Sequence, residues 1–167
     1  MPLIKDGRLA QDPWVAVADD GELPATGSTI VSLARWHAER GALLQRGAPI
    51  GVRLRSGELA REIGEDAGQL KLIALEFSTF RDGRPYSTAR LLRERYDFAG
   101  ELRAVGDVLR DQFLFMQRCG FDAFEVADER AIEGWRKAIA EFTVFYPAAT
   151  DGRTPARALR GLRWAAE

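Results

Sequence analysis

The sequence predicts an α/β fold in which four to five parallel strands alternate with helices, after a small N-terminal β element and a first helix. From residue 50 onward, short apolar runs alternate with longer amphipathic segments, and loops of a few residues separate them. The run "KLIALEF" over 71–77 is almost continuously apolar, which is typical of a strand buried on both faces of a parallel sheet. This order fits either a half-barrel-like sheet or an open doubly wound sheet, since a complete eight-unit barrel needs about 250 residues.

Residues 1–24 are predicted to form the small β element. An Asp6-Gly7 pair lies between "PLIK" and "RLAQ", and Asp-Gly is a strong signal for a tight hairpin. The run "WVAVA" adds a further short strand. Ser28 stands where an N-cap would stand before the helical pattern "TIVSLARWHAERGALLQRG", which Gly47 ends.

The core is predicted from alternating strand and helix patterns. Its strands are placed over 50–54, 71–77, 101–106 and 122–126, with "TVFYP" over 143–147 as a fifth. Its helices are placed over 57–70, over 87–96, over 108–119 behind an Asp107 cap, and over 129–142 behind an Asp128 cap. A single domain of residues 1–167 follows, with an α/β core over 28–147 and a partly mobile tail over 148–167.

Composition excludes several classes of function. A net charge of −1 gives no field that would attract nucleic acid or an anionic membrane, so neither is expected as a partner. The single cysteine, Cys119, and the single histidine, His37, argue against a disulfide and against a zinc or iron–sulfur site, so no metal is predicted. No GxGxxG or Walker A loop is present, so no cofactor is predicted. Without a signal-peptide pattern or a long apolar run, the expected location is the cytoplasm.

A ligand is expected at the carboxyl ends of the parallel strands, where both closures of such a sheet place their sites. The loop after 71–77 is the longest and most polar of these ends. Arg81 and Arg84 flank an Asp-Gly turn, and with the amides of the following helix they make an anion site for a sulfate, phosphate or carboxylate group. The alternative is a plain turn whose arginines pair with Glu58 or Asp107.

The "GDVLRDQ" motif after 101–106 supplies further candidates at the same edge. Asp107 is expected to cap its helix, while Asp111 can pair with Arg110 or with Arg84. No spacing rule singles out an acid–base pair among them. The anion-binding candidates are Arg81, Arg84, Ser87 and Arg110. The supporting polar network comprises Asp82, Tyr86, Arg90, Asp107, Asp111 and Gln112.

Three longer motifs carry a family resemblance. The segments "DGRPYSTARLLRERY", "GELRAVGDVLRDQ" and "MQRCGFDAFEV" closely resemble the bacterial domain-of-unknown-function family 934, and "LIKDGRL" and "IGVRL" also fit its pattern. The resemblance implies a pathway, because genes of this family commonly lie beside those of assimilatory sulfite reductase and of the reductase that acts on activated sulfate. It also implies the label of oxidoreductase that members often carry, and it supplies no catalytic residues.

Three functions are compatible with these observations. The first is an accessory protein of assimilatory sulfite reduction that docks on sulfite reductase or its electron donor, or binds a sulfur oxyanion; the lack of a cofactor motif favours it. The second is a small oxidoreductase or other enzyme that uses the strand-end cleft on an anionic substrate. The third is a structural partner protein, expected to be a homodimer, with "TVFYP" and Trp135 as its candidate interface.

Overall fold

A computed structural model describes residues 1–141, 145–146, 149–150, 154–156 and 158. Within these residues the strands are β1 Leu3–Lys5, β2 Arg8–Ala10, β3 Trp14–Ala16, β4 Ser28–Ser32, β5 Ile50–Leu54, β6 Leu72–Phe77, β7 Glu101–Gly106 and β8 Ala123–Glu125. The α-helices are α1 Leu33–Gln45, α2 Arg84–Glu94, α3 Phe113–Arg118 and α4 Ala131–Ala140. Short 3₁₀ helices cover Ala60–Glu62, Gly64–Gln69 and Arg110–Gln112.

The strands form one mixed sheet in the order β2-β1-β8-β7-β6-β5-β4-β3. Strands β3 to β8 are parallel and lie in sequential order, while β1 and β2 extend the sheet with antiparallel pairs. A doubly wound sheet requires a reversal of strand order, and this parallel run has none. Crossovers of one hand therefore place the helices on a single face. The predicted α/β fold is confirmed with the half-barrel closure. The predicted "WVAVA" strand is present as β3, and with the unpredicted β4 it extends the parallel run of the sheet.

The linker between β2 and β3 requires the sheet to curve. These two strands are opposite edges of the sheet, yet only residues 11–13 join them. An extended chain from Ala10 to Trp14 spans at most about 14 Å. In a flat sheet of eight strands the two edges would lie about 34 Å apart. The sheet must therefore bend until its edges approach each other, which gives the half-barrel an inner face and an outer face.

The predicted N-terminal hairpin is present, but the first helix begins later than predicted. Asp6 and Gly7 have φ of 47° and 75°, as a tight turn between β1 and β2 requires, so the predicted hairpin is confirmed. The predicted Ser28 cap is wrong, because residues 28–32 form β4 and Ser32 accepts the Arg35 N–H at 3.0 Å. The β-branched run Thr-Ile-Val favours a strand until that serine begins α1.

Other predicted elements need smaller corrections. The predicted helix over 57–70 is two 3₁₀ helices, in a segment that contains Gly57, Gly64 and Gly68. The predicted helix over 129–142 begins at Ala131 as α4. Asp128 lies ahead of it and accepts the Arg130 N–H at 2.8 Å. The predicted strand over 143–147 and the tail over 148–167 fall largely outside the described residues.

The outer face and the inner face are packed by different kinds of side chain. On the outer face the helices bury large apolar residues that include Trp36, Phe77, Phe113 and Phe124. On the inner face, Trp14 packs over a small apolar cluster of Ile30, Leu72, Ala74 and Val105. The interior of the half-barrel is therefore filled at this level and is not a pore.

A buried arginine ties the linker to the inner face. Arg103 on β7 is fully buried, and its two terminal nitrogens donate to the Asp12 carboxylate at 2.7 and 2.9 Å. It also pairs with Glu101 at 2.7 Å and with Glu125 at 3.3 Å. Burial by itself would raise the pKa of Asp12, but the hydrogen bonds from Arg103 outweigh burial and lower it. Asp12 thus holds residues 11–13 across the open side of the curved sheet.

Candidate functional site

The carboxyl edge of the parallel strands carries most of the predicted site residues. The loops after β5, β6 and β7 leave the sheet at this edge, and ligand sites of parallel α/β folds lie there. Hydrogen bonds join each of the three loops to the next.

The loops after β5 and β6 are joined through Asp82. Its carboxylate accepts the Arg84 backbone N–H at 3.1 Å, Arg84 Nε at 2.9 Å and Arg84 Nη2 at 2.7 Å. The buried Ser56 hydroxyl donates to the same carboxylate, and Arg84 Nη2 also lies 3.3 Å from Ser56 Oγ. These hydrogen bonds from Arg84 lower the pKa of Asp82 and keep it ionised. Arg84 therefore pairs with its neighbour in the turn, and not with Glu58 or Asp107.

The loops after β6 and β7 are joined through Phe80. Asp107 accepts the Phe80 N–H at 2.8 Å, and Gln112 donates from Nε2 to the Phe80 carbonyl at 2.6 Å. The predicted role of Asp107 as a helix cap is wrong, because a 3₁₀ turn separates it from α3. Gly106 makes this arrangement possible: its φ is 90°, and a Cβ there would lie 2.5 Å from the Phe77 carbonyl oxygen.

Each of the three joined loops exposes one large apolar side chain. Leu59, Phe80 and Leu109 are 38%, 43% and 36% exposed, and we call them the apolar rim. Leu59 and Leu109 begin equivalent 3₁₀ turns, and the side chain three residues later, Glu62 or Gln112, accepts the leucine N–H. Sequence reasoning missed the rim, although the repeated pattern of Leu, two residues, then Glu or Gln just after a strand was a detectable signal.

Three of the predicted residues lie away from this turn, between α2 and α3. Tyr86, Ser87 and Arg90 line a cavity of about 250 Å³ together with Phe115 and Cys119. Burial raises the pKa of Tyr86 to about 12, so the hydroxyl stays protonated. Arg90 forms an ion pair with Glu94, in which Nη2 lies 2.9 Å from a carboxylate oxygen. Burial also raises the pKa of the Cys119 thiol, which disfavours the reactive thiolate form.

Two more predicted residues face α4. Arg110 and Asp111 line a cavity of about 570 Å³ with Leu114, Ala138 and Glu141. The stem of Arg110 lies against Gly134, where a Cβ would be 3.0 Å from its Cδ. Arg81, by contrast, stays at the turn, with its guanidinium 5.3 Å from the centre of the Phe80 ring. The structure therefore gathers Arg81, Asp82, Arg84, Asp107 and Gln112 at one place and distributes the other five candidates over two more.

A larger cavity opens beside the turn, at the carboxyl ends of β3 to β6. Its volume is about 630 Å³, and its walls include Ser32, Arg53, Arg55 and Glu76. Arg53 Nε lies 3.1 Å from a Glu76 carboxylate oxygen on the neighbouring strand. The signal for this cavity was the spacing of Arg53 and Arg55, since residues two apart on a strand point to the same face.

The loop from 17 to 22 forms the remaining wall of this cavity. The guanidinium of Arg35, which is largely buried, donates to the Ala18 carbonyl at 2.6 Å and to the Gly21 carbonyl at 2.8 Å. Between these two anchors, Asp19 and Asp20 line the cavity. A buried side chain therefore fixes to α1 the backbone that carries both aspartates.

The described residues contain no group of three or more His, Cys, Asp or Glu side chains placed to hold a metal ion. No helix in that part of the chain is long and apolar enough to cross a membrane.

Comparison with known proteins adds one finding. A family model described as a bacterial protein of unknown function (DUF934) matches residues 51–157, which is well over half of the chain. The matched region includes the three joined loops, the apolar rim and the arginines of the turn. No curated protein matches the chain.

Proposed function

Since the chain belongs to the bacterial DUF934 family of unknown function, whose model spans the three joined loops, we propose a function for that edge of the sheet. The protein is an accessory factor of assimilatory sulfite reduction that docks through the apolar rim on sulfite reductase or on its electron donor. The pathway comes from the gene neighbourhood that the resemblance implies, and the docking surface comes from the geometry of the loops.

The exposed apolar rim is the observation that carries this proposal. Leu59, Phe80 and Leu109 come from three successive loops, and hydrogen bonds fix each loop to the next. A surface that is rigid before its partner arrives loses little conformational entropy on binding. Aromatic residues and arginines are enriched at the centres of protein interfaces, and here Arg81 lies over the Phe80 ring.

The arginines of the turn give the same surface an affinity for anions. Arg84 is 63% exposed and uses Nε and Nη2 for Asp82, which leaves its outer nitrogen directed away from that pair. Arg81 is also exposed. These two guanidinium groups can receive a sulfur oxyanion or an acidic side chain of the partner.

A deletion strain tests the proposal. Without the gene, the bacterial host should grow normally on cysteine and poorly on sulfate, and the wild-type gene should restore growth on sulfate. The variant Phe80→Ser should fail to restore it, because one apolar anchor is replaced by a polar group. Leu91→Ser is the matched control, since Leu91 is 45% exposed but lies on α2 outside the rim, and it should complement fully. Equal growth of the deletion strain on both sulfur sources would overturn the pathway.

An enzyme acting on an anionic substrate is the second candidate, favoured by the strand-end position of Arg84. The variant Arg84→Ala removes an exposed cation of the turn and, if the turn binds substrate, should abolish complementation without weakening binding to sulfite reductase or its electron donor. Complementation by Arg84→Ala together with failure of Phe80→Ser supports docking alone.

A homodimer is the third expectation, with Trp135 as one candidate interface residue. Trp135 packs over Gly7 of the hairpin and is only partly exposed, so little of its ring is left for a second copy. Light scattering that gives a monomer mass at micromolar concentration would reject a dimer.

A further inference from the structure

The cavity at the carboxyl ends of β3 to β6 holds opposite charges that do not meet. Arg53 and Arg55 stand on one wall, and Asp19 and Asp20 stand on the other. Arg53 forms an ion pair with Glu76, in which Nε lies 3.1 Å from a carboxylate oxygen. Within the described part of the chain, the side chains of Arg55, Asp19 and Asp20 make no ion pair and no hydrogen bond.

Charged side chains that share a cavity without pairing leave their hydrogen-bonding capacity for a ligand. An arginine offers a planar fork of donors that fits a carboxylate, and aspartates accept hydrogen bonds from an ammonium group. Both groups here are held apart by the fold. Arg53 lies on β5 and Arg55 directly follows that strand, while the aspartates lie on the loop that Arg35 fixes to α1. The backbone of each wall therefore has a fixed position.

From these contacts we infer that the cavity is a binding site for a small zwitterion of the α-amino acid class. The ligand carboxylate binds Arg55 and the free nitrogens of Arg53, and the ligand ammonium binds Asp19 and Asp20. A purely anionic ligand would bring its charge near Asp19, Asp20 and Glu76, which repel it. A purely cationic ligand would meet the two arginines. Only a ligand that carries both charges can pair with the arginines and with the aspartates at the same time.

Two further features suit a ligand of this size. The volume of about 630 Å³ lies in the range of small-molecule sites and leaves room for a side chain beyond the two charged groups. The Ser32 side chain also lines the cavity, and its oxygen accepts the Arg35 N–H, so its hydroxyl proton can be donated to the ligand carboxylate. This site is separate from the apolar rim and does not depend on the function proposed above.

Calorimetric titration of the full chain with a panel of the common L-amino acids tests the assignment. At least one amino acid should bind. For that amino acid, the matching amine without the carboxylate and the matching acid without the amino group should each bind about tenfold more weakly or not at all. Inorganic sulfate and sulfite serve as the anion-only probes, and both should bind more weakly than the amino acid.

Two substitutions assign the site to these residues. Arg55→Gln and Asp20→Asn should each weaken binding about tenfold or more, because each removes one charged partner of the ligand. Arg61→Gln is the matched control, since Arg61 is exposed on a 3₁₀ helix and does not line the cavity, and it should bind normally. Unchanged melting temperatures establish that the variants fold. Absence of amino-acid binding, equal binding of sulfate, or full binding by Arg55→Gln would each overturn the inference.

Discussion

Replacing Asp12 with asparagine should destabilise the half-barrel, because Asp12 is the contact that ties the β2–β3 linker to the buried guanidinium of Arg103. Removing one partner of a buried ion pair costs about 3–5 kcal/mol when the other charge is left alone. Arg103 keeps Glu101 and Glu125, and asparagine still accepts one hydrogen bond. We therefore expect a loss of about 2 kcal/mol in the free energy of unfolding at neutral pH.

The pH dependence of this loss provides a sharper test than its size. The pKa of Asp12 is lowered from its ordinary value of 3.8 in the folded protein, so its charge stabilises the fold above that pH and stops doing so as the pH falls through the lower folded-state value. The difference between the wild type and Asp12→Asn should be largest at neutral pH and should shrink in acid.

Urea unfolding followed by tryptophan fluorescence measures both quantities, since Trp14 packs on the same inner face. Asp20→Asn is the control, because Asp20 is exposed, and it should change stability by less than about 0.5 kcal/mol. A loss below that value for Asp12→Asn, or a loss that persists unchanged in acid, would refute the role assigned to the Asp12–Arg103 pair.

Three further substitutions have defined outcomes. Gly7→Ala should lower the free energy of unfolding by about 2–4 kcal/mol, because φ is 75° and the new Cβ would lie 2.6 Å from the Trp135 ring; thermal melting measures this. Gly106→Ala should cost a similar amount, since its Cβ would lie 2.5 Å from the Phe77 carbonyl oxygen, and a normal melting temperature would refute the tight turn. Burial raises the pKa of Asp122 from 3.8 to about 6, so wild-type stability should fall as the pH rises through that window, and Asp122→Asn should lack this slope in urea titrations at several pH values.

The central strands could be predicted because local composition determines them. Strands β5, β6 and β7 are apolar runs bounded by turns, and their predicted limits agree with the observed ones to within one residue. Strand β4 escaped prediction because it runs into α1 with only Ser32 at the junction, and the continuous pattern over 28–46 resembles a single helix. The Asp12–Arg103 contact, which ties the β2–β3 linker to the inner face, joins residues 91 positions apart in sequence, beyond the reach of a local pattern.

The position of the candidate site was predicted correctly, but only some of the predicted residues lie there. Strand topology placed it at the carboxyl edge, and Asp82, Arg84 and Asp107 do lie there. Ser87 and Arg110 point elsewhere because each belongs to a helical turn whose rotation directs it toward a neighbouring helix. Arg53 and Arg55 were not among the candidates, because the two aspartates that line the same cavity lie on a loop far earlier in the sequence.

Binding between the purified protein and purified sulfite reductase, measured by calorimetry and repeated with the electron donor of the reductase, tests whether the apolar rim is a docking surface. We expect one of the two proteins to bind, and we expect Phe80→Ser to weaken that binding about tenfold or more while Leu91→Ser leaves it unchanged. Failure of both proteins to bind, or equal binding by the wild type and Phe80→Ser, would contradict the proposed function.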